Sequence, residues 1–204
     1  MVSIATPWMG HPELLATYLP TVRGAEVVIV DNASDPETAR KLQNAASIYI
    51  RNEENNRFAK ASNQGIRVAT NDIILCLNND TAAPSGWLKD VESTVKPGAF
   101  YGPSVMVRKV DGNQVRYIEG HCIAATRTTW EAVGLWPEDL PGMYWEDNIL
   151  CLRALIADIP LIKTNWPVQH YGNYTARHVV DSIAFSEDNR KTFEDMYRAY
   201  HYQH

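Results

Sequence analysis

Cysteine is scarce in this chain, and the three that occur, Cys76, Cys122 and Cys151, are widely spaced with no CxxC pair. That excludes a disulfide framework and a zinc knuckle, and it makes a reducing compartment, the cytoplasm, the expected location. Long apolar runs are missing as well. Nothing approaches the roughly 20 residues that cross a bilayer, and no charged stretch followed by a hydrophobic run opens the chain, so neither a membrane anchor nor a secretory signal is expected. A basic surplus is also absent, since 19 Lys and Arg face 24 Asp and Glu for a net charge of -5. A protein gripping nucleic acid by its phosphates would show a basic stripe, which disfavours nucleic acid as a partner and leaves a modified base open only as an acceptor. Two glycine motifs are lacking too. The segment Thr6-Pro7-Trp8-Met9-Gly10 carries no G-x-G-x-x-G, and no glycine loop ends in Lys-Ser/Thr, so dinucleotide binding and ATP hydrolysis lose their strongest markers.

What is present is an ordinary globular composition. The 204 residues are 45% hydrophobic and 21% charged, enough for one medium domain with its own core. No repeat or linker divides them. The first half alternates: strands at Val2-Thr6, Ala25-Val30, Ser47-Arg51 and Asp72-Leu77, and helices at Glu13-Leu19, Pro36-Asn44 behind an Asp35 cap, Phe58-Ala69, and from Pro84 onward. Strands that are apolar throughout and separated by helices predict a parallel sheet covered on both faces. The second half reads as α+β. Strands are expected near Ala99-Val107, Val115-Ile118, His121-Ala125, Leu161-Lys163 and Val168-His170, with helices at Thr128-Val133, Glu146-Ala157 and Glu187-Tyr200. The expected organisation is a single α/β domain, with a nucleotide-binding half (1-96), an acceptor half (97-180) and a C-terminal helix (181-204).

In open parallel sheets ligands bind beyond the carboxyl ends of the strands. There the chain places Thr6-Pro7, then Asp31-Asn32, then Asn52 to Arg57, then Asn78-Asn79-Asp80. Any one Asp in this position equally serves as a cap for the following helix. Together they supply carboxylate and amide oxygens, hard ligands suited to Mg²⁺ or Mn²⁺ on a diphosphate.

Five blocks then resemble a known family. They are Val27-Val28-Ile29-Val30-Asp31-Asn32-Ala33-Ser34, the run from Asn56 to Ile66, Leu77-Asn78-Asn79-Asp80-Thr81, Gly86-Trp87-Leu88, and Trp145-Glu146-Asp147 through Arg153. In this order they are similar to the family-2 inverting glycosyltransferases of GT-A fold, and they span nearly the whole chain. The resemblance implies a mostly parallel central sheet flanked by helices, a nucleoside diphosphate sugar donor (UDP- or dTDP-linked), and Mn²⁺ or Mg²⁺ as cofactor. Asp31 is then expected to meet the nucleobase, with Thr6 and Pro7 lining the base and ribose pocket. Asn32, Asn56, Lys60, Asn63, Asn78 and Asn79 are expected on the donor side. Asp80 closes a DxD-like signature and would hold the metal, helped by His170; Asn78 stands where many relatives carry Asp, which implies weaker metal binding. Arg57 stands where relatives commonly carry Gly.

The same resemblance makes Asp147 the base that deprotonates the acceptor hydroxyl, with Glu146 in reserve. Glu119, Trp136 and Trp145 border the expected acceptor site, which the sequence does not identify further. The polar run 171-182 is expected as a flap over the donor or as plain connection. The processive synthases' Q-x-x-R-W block is absent, so transfer of a single sugar is expected. Two alternatives stay open. A non-catalytic nucleotide- or sugar-binding module is favoured if Asn78 abolishes metal binding. A nucleotidyltransferase would share the sheet and acids but needs a Gly- and Arg-rich opening loop. Sequons at Asn32, Asn79 and Asn173 fall in the expected site, where glycans would block it.

Overall fold

The computed structural model describes residues 1-140, 144-172 and 182-202. Strands β1 (Val2–Trp8), β2 (Glu26–Asn32), β3 (Ile48–Asn52) and β4 (Ile73–Leu77) alternate with helices α1 (Leu15–Thr21), α2 (Pro36–Ala45) and α3 (Arg57–Val68). Then come β5 (Thr81–Ala82), α4 (Leu88–Thr94), β6 (Phe100–Gly102), β7 (Val105–Val110), β8 (Asn113–Ile118), β9 (Cys122–Thr126) and α5 (Arg127–Val133). The chain continues through α6 (Glu146–Ile156), β10 (Leu161–Lys163), β11 (Gln169–His170) and α7 (Ser182–His201).

Seven strands form the central sheet in the order β10-β6-β9-β4-β1-β2-β3. Pairing is parallel except around β9, which runs antiparallel to both β4 and β6. Alternate residues of each strand feed two cores. Ile4 and Trp8 pack with Tyr18, Leu42 and Val91 of α1, α2 and α4. Ala5 and Val28 pack with Ile66, Trp130 and Leu150 of α3, α5 and α6 on the opposite face. Both faces are therefore covered, as apolar strands require. A smaller cluster, Val110, Val115, Ile149, Leu152 and Phe193, joins the β7–β8 hairpin to α6 and α7.

Local chemistry explains most boundaries. The Asp35 carboxylate accepts the Glu37 and Thr38 N–H groups at 3.0 Å and caps α2. α1 carries Pro20 inside it instead of ending there, and closes one residue later at Thr21 with one helical hydrogen bond given up at the proline. The stretch expected as one strand from Ala99 to Val107 divides at Pro103, which has no N–H for the ladder; β6 stays in the central sheet and β7 leaves to pair with β8. Gly102 at that corner is obligatory, because a Cβ there would lie 2.2 Å from Ile118 Cγ2 and 2.7 Å from the Cys122 carbonyl oxygen.

Candidate active site

Where β4 ends beside the start of β9, a cavity of about 440 Å³ opens. Its floor is built by pairing. Leu77 lies opposite Cys122, and the Asn78 N–H donates to the His121 carbonyl at 2.9 Å. The tip of β4 then turns into β5, which pairs antiparallel with β11 and sets His170 opposite Thr81. The Tyr171 N–H donates to the Asp80 carbonyl at 2.9 Å. A two-residue ladder thus carries a histidine from late in the chain to the aspartate of Asn78-Asn79-Asp80.

The result is His170 Nε2 at 3.1 Å from Asp80 Oδ1. Neighbouring ligands of an octahedral ion bound at ~2.1 Å lie about 3 Å apart, so this pair fits two adjacent vertices. A mixed carboxylate and imidazole pair suits Mn²⁺ better than Mg²⁺. No third His, Cys, Asp or Glu joins a cluster among the described residues. Further ligands could come from water, from the bound molecule's own oxygens or from the amides of Asn78 and Asn79, which line the same cavity. The His121 ring stacks on His170 with centroids 4.5 Å apart and planes 9° from parallel. Burial, and then the neighbouring His170, holds His121 down to about 4, so it stands beside His170 as a neutral ring.

Gly120, one residue before His121, links this side to the acidic pair on α6. Its N–H donates to Asp147 Oδ2 at 3.0 Å, while Asp147 Oδ1 accepts the N–H and side-chain amide of Asn148 at 2.8 and 2.6 Å. A carboxylate offers about four acceptor sites, so three donors orient Asp147 and leave one open. Burial raises its pKa, and those same hydrogen bonds pull it back toward the charged form. Glu146, only 8% exposed, is pushed up to about 7, mainly by burial and further by the Asp147 charge. Glu119 also lines the cavity, hydrogen-bonded by the Ser104 hydroxyl.

Of the residues expected from the sequence, Pro7, Asn32, Asn78, Asn79, Asp80, Glu119, Trp145, Glu146, Asp147 and His170 line this one cavity. Six do not. Asp31 is fully buried, and its carboxylate accepts the Ser34 N–H at 2.9 Å, the Tyr49 hydroxyl at 2.7 Å and Arg51 Nη1 at 2.6 Å. Thr6 is buried against the Tyr18 hydroxyl. Asn63 fastens α3 to the segment after α5, donating to the Trp136 carbonyl at 2.9 Å and Glu138 at 2.7 Å. Trp136 is 1% exposed and packs edge-on against Phe58, so it belongs to the core and cannot stack on an acceptor. Asn56 and Lys60 bond each other at 2.9 Å on the outer side of α3. Pro141, Gly142 and Met143, and positions 173-181 of the expected flap, lie outside the described residues.

The sequence reading missed Arg108 and Tyr117, which enter the cavity from the β7–β8 hairpin. No strand-end rule applies to a hairpin outside the central sheet. Arg57 takes φ +61, in the left-handed region that favours glycine. An arginine therefore holds here a backbone shape that glycine adopts without strain.

The family model of glycosyl transferase family 2 matches residues 13–153. The chain belongs to glycosyl transferase family 2. Solved structures show the same GT-A fold. The mannosyltransferase PcManGT from Pyrobaculum calidifontis, in complex with GDP-Man and Mn²⁺, is similar over 98% of this chain and 69% of its own, with TM-score 0.67 and 17% identity. S. aureus TarS is similar over 97% of this chain with TM-score 0.60 and 13% identity, and GalNAc-T7 with UDP, GalNAc and Mn²⁺ over 83% with TM-score 0.60 and 15% identity. This chain covers 43% of the length of each of these two. No curated protein matches it in sequence. Family membership makes the chain a glycosyltransferase, with a mostly parallel central sheet as its scaffold. Among the described residues no helix is long and apolar enough to cross a membrane.

Proposed function

We propose that this glycosyltransferase moves one sugar, with inversion, from a nucleoside diphosphate sugar to an acceptor hydroxyl, with Asp147 as base. The observation that carries the reading is that Asp80 with His170 and Asp147 with Glu146 line the same cavity, joined through Gly120 and His121. The acceptor hydroxyl loses its proton to the open site of Asp147 as its oxygen bonds to the anomeric carbon and the bond to the diphosphate oxygen breaks. Asp80 and His170 are suited to hold a divalent ion, Mn²⁺ or Mg²⁺, which when bound stabilises the charge on the departing diphosphate. The Asn79 side-chain amide, buried with no hydrogen-bond partner among the described residues, is available to a donor oxygen. Pro7, Trp8 and Asn32 border the nucleoside end. Asp31 contributes there from behind, through Arg51 and Tyr49. A UDP or dTDP donor is the reading; GalNAc-T7 was solved with UDP and PcManGT with GDP-Man, each with Mn²⁺.

Burial is the largest influence on both carboxyls, and Asp147 is preferred to Glu146 because three hydrogen bonds orient its carboxylate and leave one acceptor site open. Hydrolysis of a panel of nucleotide sugars, followed by transfer assays on Asp147→Asn, tests the proposal. Loss of transfer with donor binding retained is expected, and full activity of Asp147→Asn overturns it. Release of a single-sugar product, not a polymer, is expected from purified donor and acceptor.

A further inference from the structure

Arg108 has no part in the chemistry above, yet it is held with care. It lies on β7 and lines the cavity near Asp147. Its Cζ is 4.6 Å from the Trp145 ring centroid and 5.1 Å from that of Tyr117, and its Nε donates to Asn148 Oδ1 at 2.9 Å. Two aromatic rings and one amide fix the position of the guanidinium. Its two terminal nitrogens donate to nothing among the described residues.

The Arg108 charge favours the Asp147 anion from a distance, but it pairs with no carboxylate. Asp147 is bonded by Gly120 and Asn148, Glu119 by Ser104, and no described carboxylate lies within 4.0 Å of the Arg108 nitrogens. Favouring Asp147 at a distance needs the charge alone, not a guanidinium clamped by two rings and an amide. What remains is a fixed fork with unused donors, a geometry that matches the two oxygens of a phosphate or carboxylate. The donor diphosphate is assigned to Asp80 and His170. Arg108 is instead fastened to Asn148, the neighbour of the base that meets the acceptor.

We propose that Arg108 binds an oxyanion on the acceptor, a phosphate or a carboxylate, and so places the adjacent acceptor hydroxyl at Asp147. The proposal rests on the transferase reading. Trp145 and Tyr117 act as positioning residues that keep the guanidinium aimed.

The test uses methyl phosphate and acetate as probes, titrated calorimetrically into protein saturated with UDP and Mn²⁺ so that the diphosphate site is filled. At least one probe should bind, weakening as KCl is raised. In Arg108→Gln its affinity should fall at least tenfold. Arg108→Lys keeps the charge but not the fork, should fall at least threefold, and serves if the glutamine variant does not fold. The stronger probe identifies phosphate or carboxylate. Equal affinity in wild type and both variants overturns the proposal, as does wild type binding neither anion. Failure of UDP with Mn²⁺ to bind wild type would instead sink the UDP and metal part of the proposed function. The two probes are then titrated into protein without nucleotide or metal, and dependence on Arg108 is judged on that result alone.

Discussion

Asp147 and Glu146 are neighbours in the chain with different surroundings, and the difference is measurable. Asp147 is ringed by donors from Gly120 and Asn148, so its anion is oriented as well as desolvated. Replacing it by Asn removes the proton acceptor with little change of shape, and kcat is expected to fall about 10²- to 10⁴-fold. Calorimetry with UDP and Mn²⁺ should show donor affinity within about threefold of wild type; loss of donor binding would assign Asp147 to the donor instead. Folding raises the Glu146 carboxyl from 4.5 to about 7, chiefly by burial. A group that holds its proton more tightly when folded favours the fold at low pH; that contribution is lost as pH rises from 4.5 and is gone above 7. At about 1.4 kcal/mol per unit the loss is about 3 kcal/mol. Glu146→Gln should therefore gain stability over wild type between pH 5 and pH 8, by about 2 to 3 kcal/mol in urea unfolding. An advantage that does not change with pH would contradict this. At this scale the sequence was informative where a residue follows a strand of the main sheet, as Asp80 does, or opens a helix, as Asp147 does. It misled at Asn63 and Trp136. Polar Asn63 on a helix and aromatic Trp136 in a loop suggested ligand contacts, but they bond each other across 73 residues, a packing no local pattern encodes.

Among the elements, the corner at Gly102 fixes where the β7–β8 hairpin departs from the sheet. A methyl group there meets both Ile118 of β8 and the backbone of β9, so neither side can yield alone. Gly102→Ala is expected to lose about 1 to 3 kcal/mol, read from the urea midpoint. Because β8 and β9 carry the Glu119–His121 loop between them, transfer activity should fall even at temperatures where the variant remains folded. Unchanged activity in the folded variant would show that the corner does not position the loop. Strand and helix identities were legible nearly throughout, since apolar runs and 3.6-residue spacing record burial directly. The division at Pro103 was the exception. Apolar residues on both sides, Ala99-Phe100-Tyr101 and Val105-Met106-Val107, hid the point at which the chain changes partners, and Gly102-Pro103-Ser104 marked it.

For the molecule as a whole, the proposed donor and acceptor halves meet at Asp80 and His170, the proposed metal-binding pair. UDP is expected to bind more tightly with Mn²⁺ than without it in wild type, and Asp80→Asn should abolish that gain. Chelation with EDTA should stop transfer. A wild-type UDP affinity indifferent to Mn²⁺ would favour a binding module over an enzyme. The sheet was readable as a parallel array, but the reversal at β9 was not, because β9 is buried on both faces and so shows the same unbroken run as its parallel neighbours. That reversal has a consequence for how the molecule can change over evolution. Since β9 runs against its neighbours, its entry loop arrives at the rim where β4 exits, and within the central sheet the two halves join at Ile73–Leu77 against Cys122–Thr126. Insertions between residues 103 and 121 can therefore reshape the rim that the proposed acceptor would meet while strands β1 to β4 keep their threading.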